Sequence, residues 1–171
     1  MRELTQTSTG LVGNCWQTAV ACILDIDPDV MPSQMVLDRC ERQPDGSVKR
    51  VGPGYNNALQ AYLQRHHGLA YVELHMPVEA YSYLSISGYH LMTGTTVRSA
   101  EMDGMRHVVV GRDGKVVWDP HPSRAGLLDD IHWALLVPYP AQWRIWKWDD
   151  MPCVCPEHAG LPDPRSGRAN S

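Results

Sequence analysis

The sequence predicts an α+β domain in which N-terminal helices pack on one side of an antiparallel sheet. Helical periodicity occurs in the first 68 residues, strand-like alternation begins at Leu69, and RHVVVGRDGKVVWDP has the pattern of a strand, a turn and a strand. A chain of 171 residues, 43% of them hydrophobic, can bury one compact core. We therefore expect a single domain over 1–150 and a flexible or draped tail, rich in proline, glycine and charge, over 151–171.

The first helix is predicted to begin at Cys15. Apolar residues recur at helical spacing from there to Ile26, which gives the helix one buried face and places Cys22 in or near the core. Asn14 directly precedes this segment and is a favourable N-cap residue. The Cys15 sulfur is therefore expected near unpaired backbone N–H groups at the positive end of the helix dipole.

The remaining elements follow from their own patterns. A short helix is predicted over 33–42, and a longer one ends before Gly68, a suitable C-cap residue. LAYVELHM alternates as a strand does, YSYLSISGYHLMTGTT is expected to form one or two strands, and HWALLVPY is expected to form the last one. These strands supply the antiparallel sheet.

Composition excludes several classes of protein. The formal charge of −4 and the pI near 6.0 argue against a nucleic-acid partner. The N-terminus has no apolar signal core and no apolar run approaches a membrane span, so we expect no membrane association and a cytoplasmic location. The five cysteines, at 15, 22, 40, 153 and 155, are an odd number without the spacing of a disulfide framework, and we expect them to be reduced.

A cysteine at the start of a helix suits a nucleophile, although a buried structural thiol is the alternative for Cys15. A nucleophilic thiol needs a base, and His107 begins the strand of the predicted hairpin. A three-residue loop of Arg112, Asp113 and Gly114 would set His107 directly opposite Asp119, whose carboxylate could then fix the imidazole tautomer. The alternatives are a turn role for Asp119 and a strand-end histidine with a satisfied hydrogen bond.

Two segments carry a resemblance to a known group. QTSTGLVGNCWQTAVACIL at 6–24 and RHVVVGRDGKVVWDPHPSRAGL at 106–127, together about a quarter of the chain, resemble the papain-like or C39-like cysteine peptidases, and most closely their short bacterial and phage-encoded members. The resemblance implies a papain-like fold and a Cys15–His107–Asp119 triad that needs no metal and no cofactor.

The resemblance also implies an oxyanion hole. A glutamine upstream of the nucleophile donates its side-chain amide in such families, and Gln6 matches by order, although it precedes Cys15 by nine residues, somewhat more than in papain. Asn14 and the Cys15 backbone N–H are the other candidate donors. Trp16 and His121 are expected to contact a peptide, protein or small amide substrate.

Several readings of the chain stay open. An acyltransferase of transglutaminase-like type, or a non-catalytic peptide- or protein-binding module, would use the same fold. The loop over 96–106 is expected to lie over the site as a specificity element. Cys153, Cys155 and His158, with Cys40 as a fourth ligand, are candidate zinc ligands. The C-x-C spacing is not that of common zinc sites, so we expect no metal.

Overall fold

The computed structural model describes residues 1–75, 87–102, 104–129 and 132–139. Within these ranges it has the α+β architecture that the sequence predicts, with helices on one face of a five-stranded antiparallel sheet. The tail over 151–171, with Cys153, Cys155 and His158, lies outside the described residues. No helix in the described part of the chain combines the length and the hydrophobicity that crossing a membrane requires.

Two helices supply most of the core. Helix α1 is Cys15–Leu24, and it ends where Asp25 adopts a left-handed conformation with φ of 61°. Helix α3 is Tyr55–His67 and ends at Gly68, which takes the left-handed position as predicted. Cys22 is fully buried in the core, also as predicted. The two helices and the sheet bury Ala19, Val20, Ala21, Tyr55, Leu59, Tyr62 and Leu63 together with Leu91, Val108, Val110 and Ala134.

The predicted helix over 33–42 is wrong in its second half. Helix α2 covers only Gln34–Leu37, and the chain then forms a small hairpin of β1, Cys40–Arg42, and β2, Val48–Arg50. The turn between these strands contains Gly46 with φ of 87°. The turn sequence PDGS at 44–47 therefore joins two strands and does not follow a helix.

The main sheet has the strand order β3-β7-β4-β5-β6, and all neighbouring strands within it are antiparallel. Helix α1 packs on β5 in this sheet, so the N-terminal end of the helix and the start of β5 come together at one end of the domain. The strands are β3 (Leu69–Leu74), β4 (Tyr89–Gly94), β5 (His107–Arg112), β6 (Lys115–Trp118) and β7 (His132–Pro138).

The predicted register of the β5–β6 hairpin is wrong. Its loop has two residues, Asp113 and Gly114, both with positive φ, and Arg112 pairs with Lys115. A plain two-residue register would turn Asp119 away from His107. The structure inserts a bulge instead.

The bulge places Asp119 on the face of the hairpin that carries His107. Gly111 pairs with Val116 while Val110 pairs with Trp118, so Val117 is an extra residue in β6. Continuing this register by one residue sets Asp119 beside Val109, which shares a face with His107 because side chains alternate along a strand. The aspartate therefore reaches His107 diagonally and not from the directly opposed position that the sequence predicted.

Candidate active site

The predicted triad residues lie together in the structure. His107 Nε2 lies 2.7 Å from Asp119 Oδ1, and both side chains are almost fully buried. The Cys15 thiol lies close enough to the same imidazole ring to raise its pKa. Because Asp119 occupies Nε2, Nδ1 is the ring nitrogen left for Cys15. A half-buried thiol, an imidazole and a carboxylate thus form one continuous chain.

The charges of this chain stabilise one another. Burial by itself lowers the pKa of His107, but hydrogen bonds to Asp119 and Cys15 and their negative charges outweigh burial and raise this pKa to about 9. Burial raises the pKa of Asp119, whereas the hydrogen bonds from His107 and from backbone N–H groups lower it to about 2. At neutral pH the site therefore holds an imidazolium next to a carboxylate.

Backbone contacts fix the Asp119 carboxylate in place. Oδ1 accepts from the His121 N–H and Oδ2 accepts from the Gly126 N–H, each at 2.8 Å. Arg124 donates to the Asp119 backbone carbonyl and to the Thr5 hydroxyl. This network makes Asp119 an organised acceptor, so the alternative of a simple turn residue does not account for its contacts.

The start of α1 is capped by a residue that the sequence analysis did not single out. Gln34 Oε1 accepts from the backbone N–H groups of both Trp16 and Gln17, each at 3.0 Å, and the Gln17 side chain accepts in return from the Gln34 N–H. No described residue accepts from the Cys15 N–H. The one helix-start amide left open therefore belongs to Cys15.

Gln6 is a second candidate donor in the cavity that Cys15 lines. It is buried, lines the same cavity as Cys15, and its backbone N–H donates to the Pro120 carbonyl at 2.9 Å. Its side-chain Nε2 donates one hydrogen to the Ser8 carbonyl at 2.6 Å, which leaves its second N–H unengaged by the described residues. Gln6 Nε2 and the Cys15 N–H are thus two candidate donors at this cavity.

Asn14 occupies the N-cap position but does not cap the helix. Its Oδ1 accepts from the Ser8 N–H at 3.1 Å, and its Nδ2 donates to the Thr7 hydroxyl at 3.1 Å. Asn14 is buried and is not among the residues that line the cavity. Its side chain holds the segment before α1, so the structure gives the capping role to Gln34 and favours Gln6 over Asn14 as the oxyanion donor.

A cavity of about 570 Å³ opens over the thiol. Trp16 and His121, the two predicted substrate contacts, both line it, as do Cys15 and His107. Trp16 packs against the rings of Tyr55 and Tyr71, with ring centroids 5.5 and 5.3 Å away. The His121 ring meets the His107 ring edge-on, with centroids 5.9 Å apart.

The loop between β4 and β5 contributes to this cavity, as the sequence predicted for residues 96–106. Thr96, Arg98, Met105 and Arg106 line it. Arg98 and Gln34 were not selected from the sequence, because one arginine in a loop and one glutamine in a mixed segment carry no local signal. Within the described ranges, no group of three or more His, Cys, Asp or Glu residues is placed to hold a metal ion.

No family model, no curated protein and no solved structure matches this chain.

Proposed function

We propose that the protein is a papain-like thiol hydrolase that cleaves an amide, peptide or isopeptide bond through Cys15, His107 and Asp119. The observation that carries the proposal is the buried His107–Asp119 hydrogen bond, with the Cys15 thiol beside the same imidazole at the open start of α1. The three cysteines in the described ranges are free thiols, and a nucleophile of this type must stay reduced. A cytoplasmic location is part of the proposal because that compartment keeps thiols reduced.

The chemistry follows from the placement of each group. An imidazolium at His107 stabilises a thiolate at Cys15, which attacks the acyl carbonyl and forms a carbon–sulfur bond. The Cys15 N–H and Gln6 Nε2 hold the developing oxyanion. His107 then gives its proton to the leaving amine as the carbon–nitrogen bond breaks, and Asp119 keeps the ring oriented throughout.

The second half of the reaction returns the enzyme to its starting state. Neutral His107 takes a proton from water, the hydroxide attacks the thioester, and the acid leaves as the carbon–sulfur bond breaks. An amine that enters in place of water would transfer the acyl group. Hydrolysis and acyl transfer thus share one acyl-enzyme intermediate.

An activated ester tests the shared step. p-Nitrophenyl acetate should give a burst of p-nitrophenol and add one acetyl group to Cys15, seen by peptide mass spectrometry, in the wild-type protein and in Cys40→Ala but not in Cys15→Ala. Cys40 is the matched control because it is a second half-buried thiol that lines the cavity. When glycinamide is added, N-acetylglycinamide measures acyl transfer and acetate measures hydrolysis. Acetylation at Cys40 equal to that at Cys15 would contradict the proposal and favour a binding module.

A further inference from the structure

One wall of the cavity carries a cation without a carboxylate partner in the described part of the chain. Arg98 lines the cavity beside His121, and none of the ion pairs within the described ranges includes it. The two acidic residues that line the cavity bind other partners: Glu73 binds Tyr71 and His75, and Asp38 binds Arg50. The positive charge of Arg98 is therefore available to a ligand, in a chain whose net charge is −4.

Arg98 is joined to His121 by a directed chain of hydrogen bonds. Its Nη1 donates to the Ser123 hydroxyl at 2.9 Å, and that hydroxyl lies 2.8 Å from His121 Nδ1. The Ser123 backbone N–H also donates to His121 Nδ1, at 3.0 Å. A backbone amide can only donate, so Nδ1 is an acceptor and the neutral ring carries its hydrogen on Nε2.

The local charges keep this ring neutral. Burial lowers the pKa of His121, and the positive charges of Arg98 and His107 lower it further. The wall therefore offers a fixed guanidinium and an imidazole N–H donor, two groups that suit a carboxylate.

Secondary contacts hold the loop that carries Arg98. The Thr96 N–H donates to the Ser99 hydroxyl at 2.8 Å, and this hydroxyl donates to the Met105 carbonyl at 2.7 Å. Both Thr96 and Ser99 are buried. The arginine thus projects from a loop with internal order, which lowers the entropic cost of binding a ligand there.

The wall lies on the side of the leaving group. His107 delivers the proton to the departing amine, so the leaving group must sit next to the His107 ring during the reaction. The His121 ring is 5.9 Å from that ring, and the His121 N–H binds Asp119. Groups attached to the leaving amine therefore come within reach of His121 and, through the Ser123 link, of Arg98.

We propose that Arg98 and His121 form a subsite for a carboxylate carried by the leaving group of the substrate. The substrate class is an acyl amide of an amino acid with a free carboxylate, or of an acidic residue. This inference rests on the proposed function for the identity of the leaving group. The binding of an anion beside Cys15 can be measured without any turnover.

Two alkylating reagents that differ in charge provide the test. Iodoacetate and iodoacetamide both form a carbon–sulfur bond at Cys15 and release iodide, but only iodoacetate carries a carboxylate. We expect the rate ratio of iodoacetate to iodoacetamide at Cys15 to fall about 5- to 10-fold in Arg98→Gln, as for loss of one nearby charge, and to be largely kept in Arg98→Lys. High salt should lower the wild-type ratio as well.

Arg112→Gln is the matched control, because Arg112 is an exposed arginine next to the turn of the β5–β6 hairpin and does not line the cavity. Its ratio should equal that of the wild type. The iodoacetamide rate in the same variant corrects for any change in the reactivity of Cys15 itself, so that the ratio reports only the carboxylate of iodoacetate. A ratio that is the same in Arg98→Gln and in the wild type would overturn the proposal.

A protection experiment addresses the leaving group itself. N-acetylglycylglycine, with a free carboxylate, should protect Cys15 from iodoacetamide better than N-acetylglycylglycinamide does, and Arg98→Gln should abolish the difference. Equal protection by acid and amide in the wild type would overturn the subsite even if p-nitrophenyl acetate acylates Cys15. A charge-dependent ratio without acylation would instead leave the anion subsite standing and remove the hydrolase.

Discussion

His107 and Asp119 bind each other through a 2.7 Å hydrogen bond although the bulge in β6 sets Asp119 beside Val109 and not opposite His107. Because Asp119 binds Nε2 of the imidazole, the other ring nitrogen, Nδ1, is left for Cys15. It also lets the Asp119 carboxylate accept from two backbone N–H groups at the same time. The aspartate is thus anchored independently of the histidine that it orients.

The first prediction concerns the reactivity of the thiols. At pH 6.5 iodoacetamide should alkylate Cys15 at least about tenfold faster than Cys22 and Cys40, because burial raises the pKa of both of those thiols. His107→Gln should remove most of this advantage, and Asp119→Asn should remove part of it. Peptide mass spectrometry of timed samples measures all three sites in one tube. Equal rates at Cys15 and Cys40 in the wild type would refute the thiolate–imidazolium pair.

The second prediction concerns stability and pH. His107 has a folded-state pKa of about 9 against an ordinary value of 6.5, so its stabilisation is complete below pH 6.5 and is lost as the pH rises through 9. The pKa of Asp119 is depressed to about 2, so its stabilisation is present above pH 3.8 and is lost as the pH falls through 2.

Urea unfolding between pH 2 and pH 10 should therefore show a plateau of stability with a loss at each end. The alkaline loss should amount to about 3 kcal/mol at most, and His107→Gln should flatten it. An alkaline slope of equal size in His107→Gln would assign it to another group.

The third prediction separates the oxyanion donor from the nucleophile. Gln6→Ala should slow acetylation of Cys15 by p-nitrophenyl acetate about 100- to 1000-fold, because a donor to the oxyanion is lost. The same variant should leave the iodoacetamide rate near that of the wild type, since displacement of iodide creates no oxyanion. Asn14→Ala is the control variant. It should lower the free energy of unfolding but leave the ratio of the acetylation rate to the iodoacetamide rate near that of the wild type. A parallel drop of both rates in Gln6→Ala would show a structural role only.

The fourth prediction concerns the cap of α1. Gln34→Ala leaves two helix-start N–H groups without their acceptor and should lower the free energy of unfolding by about 1–3 kcal/mol. It should also reduce the alkylation rate of Cys15, which lies next to the capped residues. Gln60→Ala is a matched control, because Gln60 is an equally buried glutamine that accepts from the Tyr71 N–H at 2.8 Å and does not itself line the cavity or cap α1.

Gln60→Ala should lower the free energy of unfolding to a similar degree without changing the alkylation rate of Cys15. Gln34→Glu, which keeps an acceptor at the positive end of the helix, should restore both stability and reactivity. Reactivity that is lost equally in Gln34→Ala and Gln60→Ala would indicate a general loss of stability and no specific effect on α1.

The features that depend on neighbouring residues in the chain are predictable from local sequence patterns. The spacing of apolar residues fixed α1 with Cys15 at its first position, and Gly68 fixed the end of α3. Alternation fixed β5 and β6, and the Asp113–Gly114 pair fixed a tight turn between them. Each of these follows from backbone preferences that act over a few residues.

The tertiary structure decided which distant partners satisfy each polar group and how the hairpin aligns. Gln34 and not Asn14 caps α1, because Asn14 is already bound to Thr7 and Ser8 while Gln34 reaches the helix across the fold. The bulge at Val117 sits opposite Gly111, where a Cβ atom would lie only 2.5 Å from the His90 ring.

Such contacts depend on packing between elements that are remote in sequence, and no periodicity within one segment encodes them. For the same reason the predicted pair of His107 and Asp119 was right while the register that predicted it was wrong. The residue types indicate the candidate chemistry. The packing of α1 against β5 and the bulge in β6 bring Cys15, His107 and Asp119 together.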